Sequence, residues 1–216
     1  MTRRVLGRRT ERSKAPVFCP ELPTQSERTA ATRGALLDAA RELFALDGYA
    51  ATSLDAVVAR AAVTKGALYH HFSGKPQIFR AVFDREQQRL ARTVAEAYTR
   101  RRDPWDGFNA GCRAFLEASL DPQVQRITML DAPGVLGFAT LREAESSSMR
   151  LLEEGLRAAM ASGRLARRPV EPLAVMLFGA LCEAALSIAR AENQRAAHRK
   201  TVAELQRLLD ALAAAP

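Results

Sequence analysis

The sequence predicts an all-α fold, and three observations carry that reading. From about Thr32 onward, apolar residues recur at spacings of three and four. No segment alternates with period two for long enough to make a strand. The breaks between periodic stretches are short and built from Gly, Pro, Asn and Asp. Apolar residues make up 48% of 216, enough to bury a core and to argue against global disorder. The expected organisation is a basic arm over 1–28, a three-helix unit over 29–75 and a larger helical domain over 76–216.

The arm carries Arg3, Arg4, Arg8, Arg9, Arg12 and Lys14, followed by Pro16, Pro20 and Pro23. That composition reads as a solvated, disordered tail, or as a tether that follows phosphates into an adjacent minor groove.

Leu36, Leu37, Ala40, Leu43 and Phe44 share one face of a first helix, which Gly48 ends. Thr52 with Asp55 three residues later fits a capping box for a second helix burying Leu54, Val57 and Val58. Ala61-Ala62-Val63 makes a tight turn, and Thr64 caps a third, short helix. Ser73-Gly74-Lys75-Pro76 breaks that helix and opens a longer one, with Pro76 tolerated in a first turn. Its inner face is Ile78, Phe79, Val82 and Phe83, and Leu90, Val94 and Tyr98 continue the stripe up to a break at 100–104.

Beyond it the periodicity predicts helices near 105–119, 123–131, 138–162, 171–191 and 195–213. The breaks fall at Asp121-Pro122, Pro133-Gly134, Gly163 to Pro169 and Asn193. The apolar run from Leu173 to Ile188 is interrupted by Glu183 and is short for a bilayer span, so no membrane partner is expected. Helix 171–191 is apolar on more than one face, so it must pack on its own core and on something else. Gly179, Ala180, Ala184 and Ala185 would admit a close partner helix. Val202, Leu205, Leu209 and Leu212 form a short seam of the coiled-coil type on the last helix. Pairing both helices with their symmetry mates predicts a twofold homodimer. Filling a monomer's core is the plainer alternative.

Net charge is +8, and its distribution is uneven. Residues 1–28 hold seven Lys/Arg against three acids, 29–85 seven against five, and the rest eighteen against sixteen. A basic front and a near-neutral back point to a polyanionic partner for the front alone. Cys19, Cys112 and Cys182 are odd in number and lack metal or redox spacing, which argues for a reducing cytoplasm without disulfides or zinc. No apolar stretch follows the Arg-rich start, so no secretory signal is expected. Neither a Ser/His/Asp grouping, nor paired carboxylates in a Gly-rich setting, nor a phosphate loop is present. An enzyme and a cofactor are therefore not expected.

Two short helices joined by a three- or four-residue turn make a helix-turn-helix, whose second helix enters the major groove of DNA by its N-terminal end. The residue types at that end suit the task. Thr64 offers a hydroxyl to a phosphate or base edge, and Lys65 a cation that reaches guanine acceptors or backbone. Gly66 and Ala67 remove bulk where base edges approach. Tyr69 and His70 place polar tips at the groove wall. Lys75 begins the next helix, where free N–H groups already favour phosphate. Leu68 and Phe72, four apart, read as core. Tyr69 could also be a packing aromatic, and His71 a structural one. Adjacent His70 and His71 face different ways and make a poor metal pair.

The stretch from about Arg33 to Phe83, "ALLDAARELFALDGYAATSLDAVVARAAVTKGALYHHFSGKPQIFRAVF", resembles the N-terminal domain of the TetR family of transcriptional regulators. The closest likeness lies in "FALDGYAATSLDAVVARAAVT", "LYHHF" and Lys75. One departure is Pro76-Gln77 where the family usually has a further acid, which implies a local change in capping. By resemblance, Ser53, Thr64, Lys65, Gly66, Tyr69, His70 and Lys75 are DNA contacts. The resemblance also implies a double-stranded, partly palindromic operator. It further implies a C-terminal domain that dimerises and takes a small-molecule effector.

Candidate lining residues for that effector are Trp105, Phe108, Cys112, Phe115, Met129, Phe138, Met149, Met176 and Phe178, a set that suits a lipophilic ligand. Each could equally be ordinary core. The expected function is a ligand-responsive repressor released by that ligand. The rival is a sequence-tolerant nucleoid-type protein drawing its affinity from the Arg-rich arm. No role is assigned to Asp131 or to 131–137.

Overall fold

The computed structural model describes residues 24–214, and among them every regular element is helical. Helix α1 (Gln25–Ala51) opens at Thr24, whose hydroxyl accepts the Glu27 N–H while the Glu27 carboxylate accepts the Thr24 N–H. This capping box starts the helix several residues earlier than expected, inside the span assigned to the arm. The rest of the arm, Cys19 included, lies outside the described residues.

Gly48, at φ +79°, breaks the helical path as anticipated, although hydrogen bonding resumes as far as Ala51. Helix α2 (Leu54–Ala61) is capped by Ser53, whose hydroxyl accepts the Ala56 N–H at 3.1 Å. The expected Thr52–Asp55 box does not form, because the Thr52 hydroxyl is buried and donates to the Gly48 carbonyl at 2.8 Å. Ala62 turns the chain in the left-handed region at φ 53°. Thr64 then caps α3 (Lys65–His71), accepting the Ala67 N–H at 3.2 Å. Helix α4 (Lys75–Thr99) follows with Pro76 in its first turn. The Gln77 amide oxygen accepts the Ser73 N–H, which is how the Pro76-Gln77 departure is accommodated.

Helix α5 (Pro104–Ala118) begins at Asp103, and α6 is a single turn (Pro122–Val124). It runs into a π-helical segment, Gln125–Asp131, and then directly into α7 (Ala132–Leu136). A break at Pro133-Gly134 was expected. Pro133 instead sits in the first turn of α7, where its missing N–H costs nothing, and the chain breaks at Gly137 with φ 75°. Helices α8 (Phe138–Ala161), α9 (Val170–Arg190) and α10 (Gln194–Ala214) complete the chain. By length and composition α9 would pass as a membrane span, contrary to the expectation from the run 173–188 alone. Its Ala174, Leu177, Leu181, Ala185 and Ile188 are core residues here.

Two hydrophobic clusters organise these helices. The first joins Leu36, Leu37, Ala40 and Phe44 of α1 to Val57, Leu68 and Phe72, and to Ile78, Phe79, Val82 and Phe83 of α4. It also takes in Ile127 and Ala132, so the π-helical segment and α7 pack on the N-terminal helices. The second gathers Trp105, Phe108, Leu116, Leu156, Leu165, the α9 residues above and Leu209. Val202, Leu205 and Leu212 pack against it too. The seam on the last helix therefore serves the chain's own core rather than facing outward. Helix α4 passes from one cluster to the other.

Candidate nucleic-acid interface and interior cavity

Helix α3 is held from beneath by Leu68, with no exposed area, and by Phe72, over whose ring Arg33 sits at 5.5 Å. Its other face is open. Ser53, Thr64, Lys65, Gly66, Tyr69 and His70 are exposed and Ala67 is half-buried. Tyr69 is 51% exposed. Gly66 has nothing closer to a notional Cβ than Thr64 Oγ1 at 3.9 Å, so the fold itself makes no demand for glycine there. A glycine inside a helix costs up to about 1 kcal/mol relative to alanine.

Lys65 is not idle: its Nζ lies 2.8 Å from Asp55 Oδ1, and that pair holds its pKa above the usual lysine value. Both partners are exposed, and such surface pairs are weak enough to yield to a phosphate or a guanine. Ser53 and Thr64 use their oxygens as acceptors in capping and keep their O–H free to donate. Lys75 makes contacts within the fold. Its Nζ donates to the Ala50 carbonyl at 3.0 Å and lies 4.5 Å above the Tyr49 ring, closing the end of α1 while remaining half-exposed. His71 is half-buried, and burial, His70 and Arg33 lower its pKa, which favours the neutral ring. Among the described residues no group of three or more His, Cys, Asp or Glu could hold a metal.

A second feature lies inside the C-terminal helices, a cavity of about 420 Å³ between α4, α5, α8 and α9. Of the predicted lining residues it contains Phe108, Cys112, Phe115 and Phe178. Trp105 stacks behind Phe108 at 5.4 Å and 6° without entering it, and Met129 and Met149 are packing residues of the second cluster. Met176 is 65% exposed on the outer face of α9, so it is no lining residue at all. The Phe138 side chain lies outside the described residues.

Sequence reasoning missed the larger part of the wall: Leu90, Val94 and Tyr98 of α4, and Leu151, Leu152 and Gly155 of α8. The signal was present in α4, whose stripe at 90, 94 and 98 is flanked by the small residues Ala91 and Ala95, leaving space where bulkier neighbours would fill it. Glu154, exposed at the rim, is the charged residue of the lining. Burial pushes the Cys112 thiol up to about 12, so it stays protonated and unreactive.

Known proteins resemble this chain in both parts. Residues 36–82 match the bacterial regulatory proteins of the tetR family, and residues 105–212 match the tetracyclin repressor-like C-terminal domain. A TetR-family transcriptional regulator from Pectobacterium atrosepticum superposes with a TM-score of 0.79 at 34% identity, covering 90% of this chain and 100% of that one. The transposon Tn10 TetC protein of Escherichia coli is 29% identical over 119 residues, 55% of this chain and 60% of that protein. The HTH-type transcriptional activator FasR of Mycolicibacterium smegmatis is 38% identical over 85 residues, 39% of each. The chain thus spans no more than about 60% of the length of these two curated relatives. With both domains matched and the full length of a solved regulator covered, the chain belongs to the TetR family of transcriptional regulators.

Proposed function

We propose that this regulator is a homodimeric, cytoplasmic repressor whose α3 reads the major groove and which a neutral lipophilic molecule releases from its operator. The observation that carries the reading is the open side of α2–turn–α3. Exposed Thr64, Lys65, Gly66, Tyr69 and His70 stand on a helix whose opposite face is locked by Leu68 and Phe72. Thr64 to Ala67 meet base edges, while Ser53, Tyr69 and His70 contact the backbone. Lys75 adds a phosphate contact with the protons not engaged by Ala50.

The exposed stripe of α9 supports the dimer. Val175 and Met176 are 54% and 65% exposed beside exposed Gly179 and Ala180, and Leu208 of α10 adds 46%. Small residues at that spacing let a second copy's α9 approach closely. A twofold pair sets its reading helices about 34–36 Å apart and calls for a partly palindromic operator.

The ligand class follows from the cavity wall, which among the described residues contains no Lys, Arg or His. A carboxylate or phosphate would lose its hydration there with no cation in exchange, so an uncharged apolar molecule is the fitting occupant. Release by roughly 10- to 100-fold needs a coupling of only about 1.4–2.7 kcal/mol.

The test is an operator shift with the full chain and with Lys65→Ala and Tyr69→Ala. Both variants are expected to lose sequence-specific binding and to elute as the same dimer as the parent. Specific binding retained by both overturns the site assignment.

A further inference from the structure

On the far side of α5 from the effector cavity lies a second, open cleft of about 910 Å³. Its wall is of the opposite character. Four arginines from three places in the chain converge on it: Arg100 and Arg101 at the end of α4, Arg113 on α5, and Arg164 between α8 and α9. Asp106 and Asp210 are the acids of the lining, and Asp103 and Glu96 stand beside two of the arginines, leaving the other two without a carboxylate. Arg164 is drawn in by Asp103 at 3.3 Å and Asp106 at 3.8 Å, and Arg100 rests 3.5 Å from Glu96. Arg101 and Arg113 are exposed and form no ion pair among the described residues.

The floor of the cleft is built rather than incidental. Trp105 is only 4% exposed and lines the cleft, and its indole N–H meets no acceptor among the described residues while keeping contact with solvent. An indole N–H with no acceptor inside the fold is free to donate to an anion in the cleft. Asn109, 8% exposed, is fixed next to it, donating to the Trp105 carbonyl at 2.8 Å and accepting from Gln206 at 3.3 Å. Gln206 also donates to Asp210 at 2.9 Å, tying α10 into the same floor.

We propose that this cleft is a second ligand site, for a small molecule carrying a di- or triphosphate. Guanidinium groups recognise phosphate oxygens through paired N–H donors, and two arginines without partners gain most from such an anion. A single phosphate leaves most of a cleft this size empty, whereas a chain of phosphates on a nucleoside-sized body fills it. Trp105 completes the cradle by donating its indole N–H. Because Trp105 stacks on Phe108, and Phe108 lines the effector cavity, occupancy of the cleft is felt at the cavity wall.

The chain has a single tryptophan, so its emission reports this site directly. The experiment titrates the full-length protein with sodium pyrophosphate and, separately, with ATP, at an ionic strength held constant with sodium chloride, reading Trp105 emission and calorimetric heat. Saturable binding of both ligands is expected. The double variant Arg101→Ala/Arg113→Ala should raise the half-saturation point at least tenfold with an unchanged melting temperature, and Asp210→Asn should lower it. Two results overturn the proposal. One is neither heat nor emission change beyond that of sodium chloride, and the other is a double variant that titrates like the parent. Neither readout involves operator DNA or the apolar effector, so this site and the proposed repressor function fail separately.

Discussion

The carboxylate of Asp131 accepts the backbone N–H of Tyr49 at 2.7 Å. Tyr49 follows the kink at Gly48, where the helical hydrogen-bonding path of α1 is broken, so its N–H needs an acceptor from elsewhere. The π-helical segment supplies one. The same carboxylate holds Arg126 Nε at 3.3 Å, and the Arg126 guanidinium lies over Gly48 where any Cβ would collide with it. Tyr49 in turn packs its ring on Phe44 and Phe79 and carries the Lys75 ammonium. One carboxylate thus fastens the C-terminal helices to the residue that organises the end of α1. A π-helical turn at such a junction is a frequent sign of a functional constraint.

Replacing Asp131 by Ala strands the Tyr49 N–H and frees Arg126. A loss of about 1.5–3 kcal/mol is expected, the range for a hydrogen bond to a charged group. Asp131→Asn keeps an acceptor and should recover more than half of it. Urea unfolding of the three proteins measures both values, and an Ala variant within error of the parent would remove this contact from the account of the junction.

The turn of the helix-turn-helix holds a strained residue. Ala62 sits at φ 53° and ψ 40°, with its N–H donating to the Ala59 carbonyl at 3.2 Å. The left-handed region costs an L-residue about 1–2 kcal/mol that glycine avoids. Glycine returns part of that gain as greater freedom in the unfolded chain. Ala62→Gly is therefore expected to stabilise the protein by roughly 0.5–1 kcal/mol, seen as a higher urea midpoint with an unchanged slope. Ala62 is exposed and leaves α3 in place, so operator affinity should stay constant.

Most of the fold could be read from the chain because helical periodicity is a local signal. The stripes of α1 and α4 marked their buried faces correctly, and Thr64 announced its own capping role. Three features escaped for a shared reason: each is decided by packing and burial in three dimensions and not by the residue's own type. Thr52 and Ser53 are equally good caps on paper, and burial of Thr52 against Gly48 chooses between them. Asp131 had no legible purpose because its partner stands 82 residues away. The cavity residues of α4 and α8 look like core, and only the small residues facing them leave a space instead. Met176 failed in the opposite direction: an apolar residue on an apolar helix can as easily face outward as inward.

His71 provides a pH dependence with a definite sign. Burial, followed by His70 and Arg33, holds its pKa below the usual 6.5. Above about pH 6.5 the ring is neutral in both folded and unfolded chains, and no penalty arises. As pH falls through that value, the unfolded chain takes up the proton first. Stability is then lost until the folded pKa is also passed. His71→Gln should flatten the fall in stability between about pH 6.5 and 5 while leaving stability at pH 8 nearly unchanged. Thermal melts across that range decide it, and equal slopes for the two proteins would show that another group governs the acid limb.

Arg41 and Glu86 join α1 to α4 in a buried ion pair, with Nε–Oε1 at 2.6 Å and Nη2–Oε2 at 3.1 Å. The Glu86 side chain is 2% exposed and the Arg41 side chain 18%, and the pair holds the guanidinium pKa above its ordinary value. Arg41 also donates to the Gln123 amide oxygen in α6, and Arg89 lies 3.3 Å from Glu86. Removing one partner leaves a buried charge without its counterpart, at a cost of about 3–5 kcal/mol. Removing both with apolar residues of similar volume is often close to neutral. Glu86→Leu is therefore expected to destabilise strongly, and Arg41→Met/Glu86→Leu to recover most of the loss. The double variant also cuts the link from α1 to Gln123, so its response to the apolar effector should weaken even though the fold survives. Denaturant unfolding gives the first result and an operator-release titration the second. A double variant as unstable as the single one would mean that the pair supports packing which apolar side chains cannot reproduce.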